Sequence, residues 1–208
     1  TMAHDAIVFA CANPVPEIAG RALRGLALAR YQRKDYDQAA ELFLRLMQEF
    51  PAVTLNEETY AWVGQYFFDK EKWDTASKAF AVMLDVVKDY PSPERLRFKI
   101  AECAEHAGKP EDAIKLYQAV VDSAPASAKA VEAKYRMAVL YETLKQPDKA
   151  LELYETAASA NTGDVAARAR FRLGELYEAK EEYDKAARSY MRVAILFLHQ
   201  ELSPEALW

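Results

Sequence analysis

The stretch ECAEH, Glu102 to His106, sets a cysteine and a histidine at a C-x-x-H spacing and puts a glutamate one helical turn before the histidine. Three such ligands on part of one helix face would suit zinc, but a closed site needs four. The sequence holds only 2 cysteines and 3 histidines, with no second pair to complete the set. Cys103 follows the small Ala101 and is expected to point into a helical hairpin. The tetrapeptide VFAC, Val8 to Cys11, has the cysteine of a lipoprotein cleavage site but lacks the basic start and long apolar run that precede one. There is no glycine-rich phosphate loop, no Ser-His-Asp set and no nucleophile elbow. The expectation is a chain without catalytic residues, metal or cofactor.

Behind these residues stands a helical framework. Only 6 Gly and 9 Pro interrupt 208 residues, and Ala, Leu, Glu, Lys and Arg fill the space between, which favours helices over strands. The formal net charge of −5 gives no field that would draw the chain to nucleic acid or anionic lipid. No run approaches the roughly 18–20 apolar residues of a membrane-spanning helix.

The stretch Gly108 to Pro125, GKPEDAIKLYQAVVDSAP, has a near copy at Lys145 to Thr162. Extended along the chain, the copy becomes two ladders of small residues. Ala39, Ala76, Ala113, Ala150 and Ala186 are separated by 37, 37, 37 and 36 residues, and Ala27, Gly64, Ala101, Ala138 and Gly174 keep the same steps. Around each rung apolar residues recur at three and four, as in Tyr60, Val63, Gly64, Phe67 and then Ala76, Phe80, Met83 and Leu84, the pattern of two amphipathic helices. Small residues let the two backbones approach. Pro51, Pro91 and Pro125 follow second helices, whereas Pro110 and Pro147 fall in a first turn, where the missing N–H costs nothing. The predicted organisation is a single array: a second helix of a truncated repeat at 1–16, full repeats at 20–53, 57–93, 94–127, 131–164 and 167–202, and the start of a sixth at 203–208, where SPEALW repeats SPERLR.

The set Tyr60, Val63, Gly64, Phe67, Ala76, Phe80 and Pro91, with Leu173, Gly174, Tyr177, Ala186 and Tyr190 in the last unit, resembles the tetratricopeptide repeat. The resemblance covers nearly the whole chain and implies an all-α, right-handed superhelical solenoid of antiparallel hairpins that binds proteins. The unit is longer than the usual 34 residues of the family, with the extra turn expected in second helices such as Asp74 to Tyr90. In that length it is similar to the repeats of bacterial cell-envelope proteins such as the outer-membrane assembly lipoprotein and the Tol-Pal coordinator.

In the family the inner face is built chiefly from first helices. Carried onto this sequence, the resemblance assigns Arg24 and Tyr31, then Phe68, to the groove of the first two full repeats. It assigns Phe98, Glu102 and Glu105 in the third, Tyr135 and Glu142 in the fourth, and Phe171, Glu175 and Glu178 in the fifth. Phe98, Tyr135 and Phe171 form an aromatic row and the glutamates an acidic one, which together suit a basic or amphipathic segment of a partner protein. The competing reading packs the rings between repeats and pairs the glutamates with neighbouring arginines, as Arg168 and Arg172 with Glu175. The implied function is a protein-binding scaffold; the alternative is a recruiting module of a larger enzyme or of a secretion or envelope assembly. The helix SYMRVAILFLHQ, apolar on nearly every face over 191–198, is a candidate for self-association.

Overall fold

The computed structural model describes residues 16–159 and 163–201. Ten α-helices and no strand occur among the described residues: α1 (Pro16–Gln32), α2 (Tyr36–Glu49), α3 (Glu57–Asp69), α4 (Trp73–Val86), α5 (Pro93–His106), α6 (Pro110–Ser123), α7 (Ala128–Thr143), α8 (Pro147–Ala158), α9 (Asp164–Ala179) and α10 (Tyr183–Glu201). The expected truncated helix at 1–16, apart from Pro16, and the sixth start at 203–208 lie outside the described residues, as do His4, VFAC and the side chains of 196–198. No described helix is long and apolar enough to cross a membrane.

The chain divides into two compact units, Thr1–Leu96 and Arg97–Trp208. In the first, α1 packs on α2, α2 on α3 and α3 on α4; in the second, α6 to α10 pack each on the next. Both ladders are interior. Ala39, Ala76, Ala113 and Ala150 are completely buried and so are Ala27, Ala101 and Ala138. The two glycine rungs are obligatory in another way: a Cβ on Gly64 would fall on the Phe80 ring, and one on Gly174 on the Tyr190 ring.

Several helices start where a side chain supplies the cap or a proline opens the first turn. Asn56 accepts from the Thr59 N–H at 3.1 Å, Ser127 from the Ala130 N–H at 3.1 Å, and Pro110 and Pro147 open α6 and α8. Inside each hairpin the first helix stops at a left-handed residue: Lys34, Glu71, Gly108, Lys145 and Glu181, with φ between 57° and 70°. The next N–H closes the turn on a carbonyl of the preceding helix, as Lys109 to Ala104 at 3.0 Å and Gln146 to Tyr141 at 2.8 Å. One expectation is corrected here. The second helix that begins at Trp73 ends at Val86, not at Tyr90, because Val86 and Val87 are β-branched and Pro91 steers Tyr90 away from helical torsions. The residues 87–90 form the connection.

Candidate partner-binding site

On the first-helix side of the second unit, tyrosines from second helices rise to meet the glutamates. The Tyr117 hydroxyl donates to Glu105 Oε2 at 2.6 Å, and Arg136 Nη1 donates to Glu105 Oε1 at 3.3 Å. Tyr117 is wholly buried, and that burial, followed by the Glu105 bond and charge, pushes its phenol pKa up. Burial pulls the Arg136 guanidinium down, but the charges of the neighbouring Glu105 and Glu102 carboxylates outweigh it and hold the group above its usual range. Glu102 sits between Lys99 at 2.9 Å and Arg136 at 4.0 Å.

One repeat later the same positions are Tyr154, Glu142 and Arg172. Tyr154 Oη and Glu142 Oε1 are buried without a hydrogen-bond partner among the described residues, and burial, then the neighbouring Glu142 carboxylate, raises the phenol. Arg172 donates to Glu175 Oε2 at 2.9 Å, which lifts the guanidinium further. In the last hairpin Tyr190 donates to Glu178 Oε2 at 3.0 Å. The acidic row is thus largely engaged within the fold: Glu102, Glu105, Glu175 and Glu178 each hold a partner, and Arg168 turns to Asp164 at 2.8 Å instead of Glu175.

The aromatic row divides. Phe98 is 1% exposed, packed on Tyr117 at 5.1 Å between ring centroids and covered by the Lys129 ammonium at 4.3 Å, so it lines no groove. That corrects its assignment; the following first helix, α7, supplies the cover. Tyr135 is half-buried under Arg168 at 5.3 Å, and Phe171 is 47% exposed, with Tyr190 at 5.6 Å. Tyr135, Ala167, Arg168, Phe171, Arg172 and Val193 line a cleft of about 320 Å³. It is apolar at the floor, and its two arginines already have carboxylate partners in Asp164 and Glu175.

The first unit solves the same three positions without charge. Tyr31, Phe43 and Trp62 stand where Glu105, Tyr117 and Arg136 stand in the second unit, and Trp62 meets Tyr31 edge-on at 4.9 Å and Phe43 at 6.2 Å. With Leu28, Asn56 and Glu58 these rings enclose a second cleft of about 280 Å³. Arg24 is exposed, and Phe68 packs edge-on against Trp73 at 5.0 Å. Trp62 escaped the sequence reading, although its place two residues before Gly64 was a usable signal. Cys103 is 1% exposed while His106 faces solvent, and no group of three metal-ligating side chains occurs among the described residues.

The sequence model of the Tetratricopeptide repeat matches residues 12–53, 64–128 and 135–206. The chain belongs to the tetratricopeptide repeat family. Solved structures carry the same all-α, helical-repeat fold. A crystal structure of MamA superposes with a TM-score of 0.64 at 18% identity, over 85% of this chain and 97% of that one. BtubC (BKLC) from P. vanneervenii gives 0.62 at 16%, over 96% and 88%. Tetratricopeptide-like repeats of a putative kinesin light chain of Podosopora anserina give 0.57 at 14%, over 92% and 100%. At these identities the likeness is one of fold. No curated protein matches the chain in sequence. Tetratricopeptide repeats serve as protein-interaction modules, and this chain is built from them.

Proposed function

We propose that this tetratricopeptide repeat chain is a non-catalytic scaffold that holds an amphipathic segment of a partner protein on its first-helix, inner face, with an apolar side chain seated between Tyr135 and Phe171. The observation that carries the reading is the 320 Å³ apolar cleft on the first-helix side, in which Tyr135, Ala167, Phe171 and Val193 form the apolar lining. An aromatic side chain left open in a concave surface is what an anchor residue fills. Because Arg168 and Arg172 are already paired, the cleft selects for shape and apolarity more than for charge. Selection of binders from a random peptide library tests it. Ligands should share a bulky apolar residue and lose tenfold or more in affinity on Phe171→Asp, about 1.4 kcal/mol or greater. Ligands indifferent to Phe171→Asp, in a variant whose helix content is intact, would remove the cleft from the binding surface.

A further inference from the structure

A different cleft, of about 290 Å³, opens on the second-helix side of the second unit, between α8 and α10 with α9 as its floor. Its charged lining is Arg170 from the floor, Lys185, Arg188 and Arg192 along α10, and one carboxylate, Glu155. Glu155 accepts the Tyr177 hydroxyl at 2.5 Å, and Lys185 pairs with Glu182 outside the cleft. Three guanidiniums therefore dominate. Arg188 and Arg192 form no ion pair among the described residues. Arg170 is 9% exposed, and burial, then the like charge of Arg192, pushes its guanidinium below the usual range.

The fold does not demand this concentration of charge. One repeat earlier, the positions of Arg170, Lys185, Arg188 and Arg192 are Lys134, Lys149, Glu152 and Thr156. There a carboxylate and a hydroxyl replace the two exposed arginines on the same scaffold. Two repeats before that, the position of Arg170 is held by Tyr60, 2% exposed in an apolar core. The lysine over the tyrosine ring, by contrast, is shared: Lys149 stands 5.3 Å from Tyr141 and Lys185 5.2 Å from Tyr177, so that cation belongs to the framework. Arg97 holds the position of Arg170 in the third repeat and Arg45 that of Arg192 in the first, but the three arginines come together only in the last repeat, in a chain whose net charge is −5.

We propose that this cleft docks an acidic peptide segment of a partner protein, whose carboxylates are received by Arg170, Arg188 and Arg192. Guanidiniums present paired N–H donors that match a carboxylate. From Lys185 to Arg192 the basic edge runs seven residues along α10, about 10 Å at 1.5 Å per residue, which is more than one compact anion spans. An extended chain advances about 3.3 Å per residue, so acidic side chains two and three apart reach along that edge. Arg170 lies recessed at the floor, where a side chain entering the cleft reaches it and a flat membrane surface does not. This surface is distinct from the Phe171 cleft and prefers the opposite ligand chemistry.

The test is a titration of the whole chain with a fluorescent Glu-rich dodecapeptide, beside a Lys-rich peptide, inorganic phosphate, and vesicles of phosphatidylserine in phosphatidylcholine. The Glu-rich peptide should bind, weaken steadily with added salt, and lose tenfold or more in affinity on Arg188→Glu with Arg192→Glu. Lys115→Glu, the same reversal at an exposed site on α6, should change it less than twofold, and so should Phe171→Asp, which separates this proposal from the previous one. If the double reversal unfolds, Arg192→Gln alone should still weaken the peptide about threefold. A peptide that does not bind, that ignores the arginine changes, or that is outcompeted by phosphate alone or by the vesicles would overturn the assignment.

Discussion

The rung formed by Tyr117, Glu105 and Arg136 should behave as a unit, and replacing Glu105 by leucine shows how. The change keeps the volume nearly constant but leaves the wholly buried Tyr117 hydroxyl without its acceptor, which had stood at 2.6 Å. A stranded buried donor costs about 1–3 kcal/mol. Arg136 adds less, because its side chain is 33% exposed and Glu102 stands 4.0 Å away to receive it; a pair so placed is worth about 0.5–1 kcal/mol. Glu105→Leu should therefore destabilise the second unit by about 2–3 kcal/mol, and Tyr117→Phe alone by about 1 kcal/mol. The double variant removes donor and acceptor together and should cost less than Glu105→Leu by itself, a coupling of about 1–2 kcal/mol. The first unit is the precedent, since Phe43, Tyr31 and Trp62 fill the same places with no charge at all. Urea unfolding followed by circular dichroism gives the global numbers. Amide exchange in α6 gives the local ones, which matter because repeat arrays need not unfold as one. Effects that add to within about 0.5 kcal/mol, or a Glu105→Leu variant as stable as the parent, would refute the reasoning.

Two further outcomes follow from the interior. Gly64→Ala should lower stability by about 1–2 kcal/mol in a thermal melt, the clash with the Phe80 ring outweighing the helix propensity gained, whereas Gly25→Ala, with nothing within 4 Å of its Cβ, should raise it by about 0.5–1 kcal/mol. Equal signs for the two would contradict the packing. The buried phenols predict an alkaline limit. Burial, then the Glu155 bond, pushes Tyr177 up to about 12, and Tyr117 and Tyr154 are raised as well, so above pH 10 the unfolded chain loses protons that the folded one keeps. Stability should be complete below pH 10 and fall as pH rises toward 12, by about 1.4 kcal/mol per pH unit for each such tyrosine. Tyrosinate absorbance rising together with loss of helix would show it, and free titration near pH 10 in an intact fold would not.

The framework was readable because its signal is periodic: two ladders of small residues report hairpins wherever two backbones must touch. The turns were less readable, since Lys34, Glu71, Lys145 and Glu181 carry no glycine at a left-handed position. The groove was partly readable. Phe98 is 1% exposed because its cover comes from Tyr117 of the second helix and Lys129 of the next first helix, not from its own helix. Pairing of Glu105 with Tyr117 and Arg136 joins three helices, and the Arg170 cleft likewise draws on α8, α9 and α10. No local pattern contains such a meeting.

The left-handed turns have a historical consequence. Each hairpin is closed by backbone groups, so the side chain at the turn is not needed to form it; five copies carry lysine, glutamate or glycine there with φ between 57° and 70°. Such a site takes glycine or a long unbranched side chain while the backbone geometry stays the same. The kinship of the repeats is therefore legible in the interior alanines and glycines rather than in the residue types at the turns.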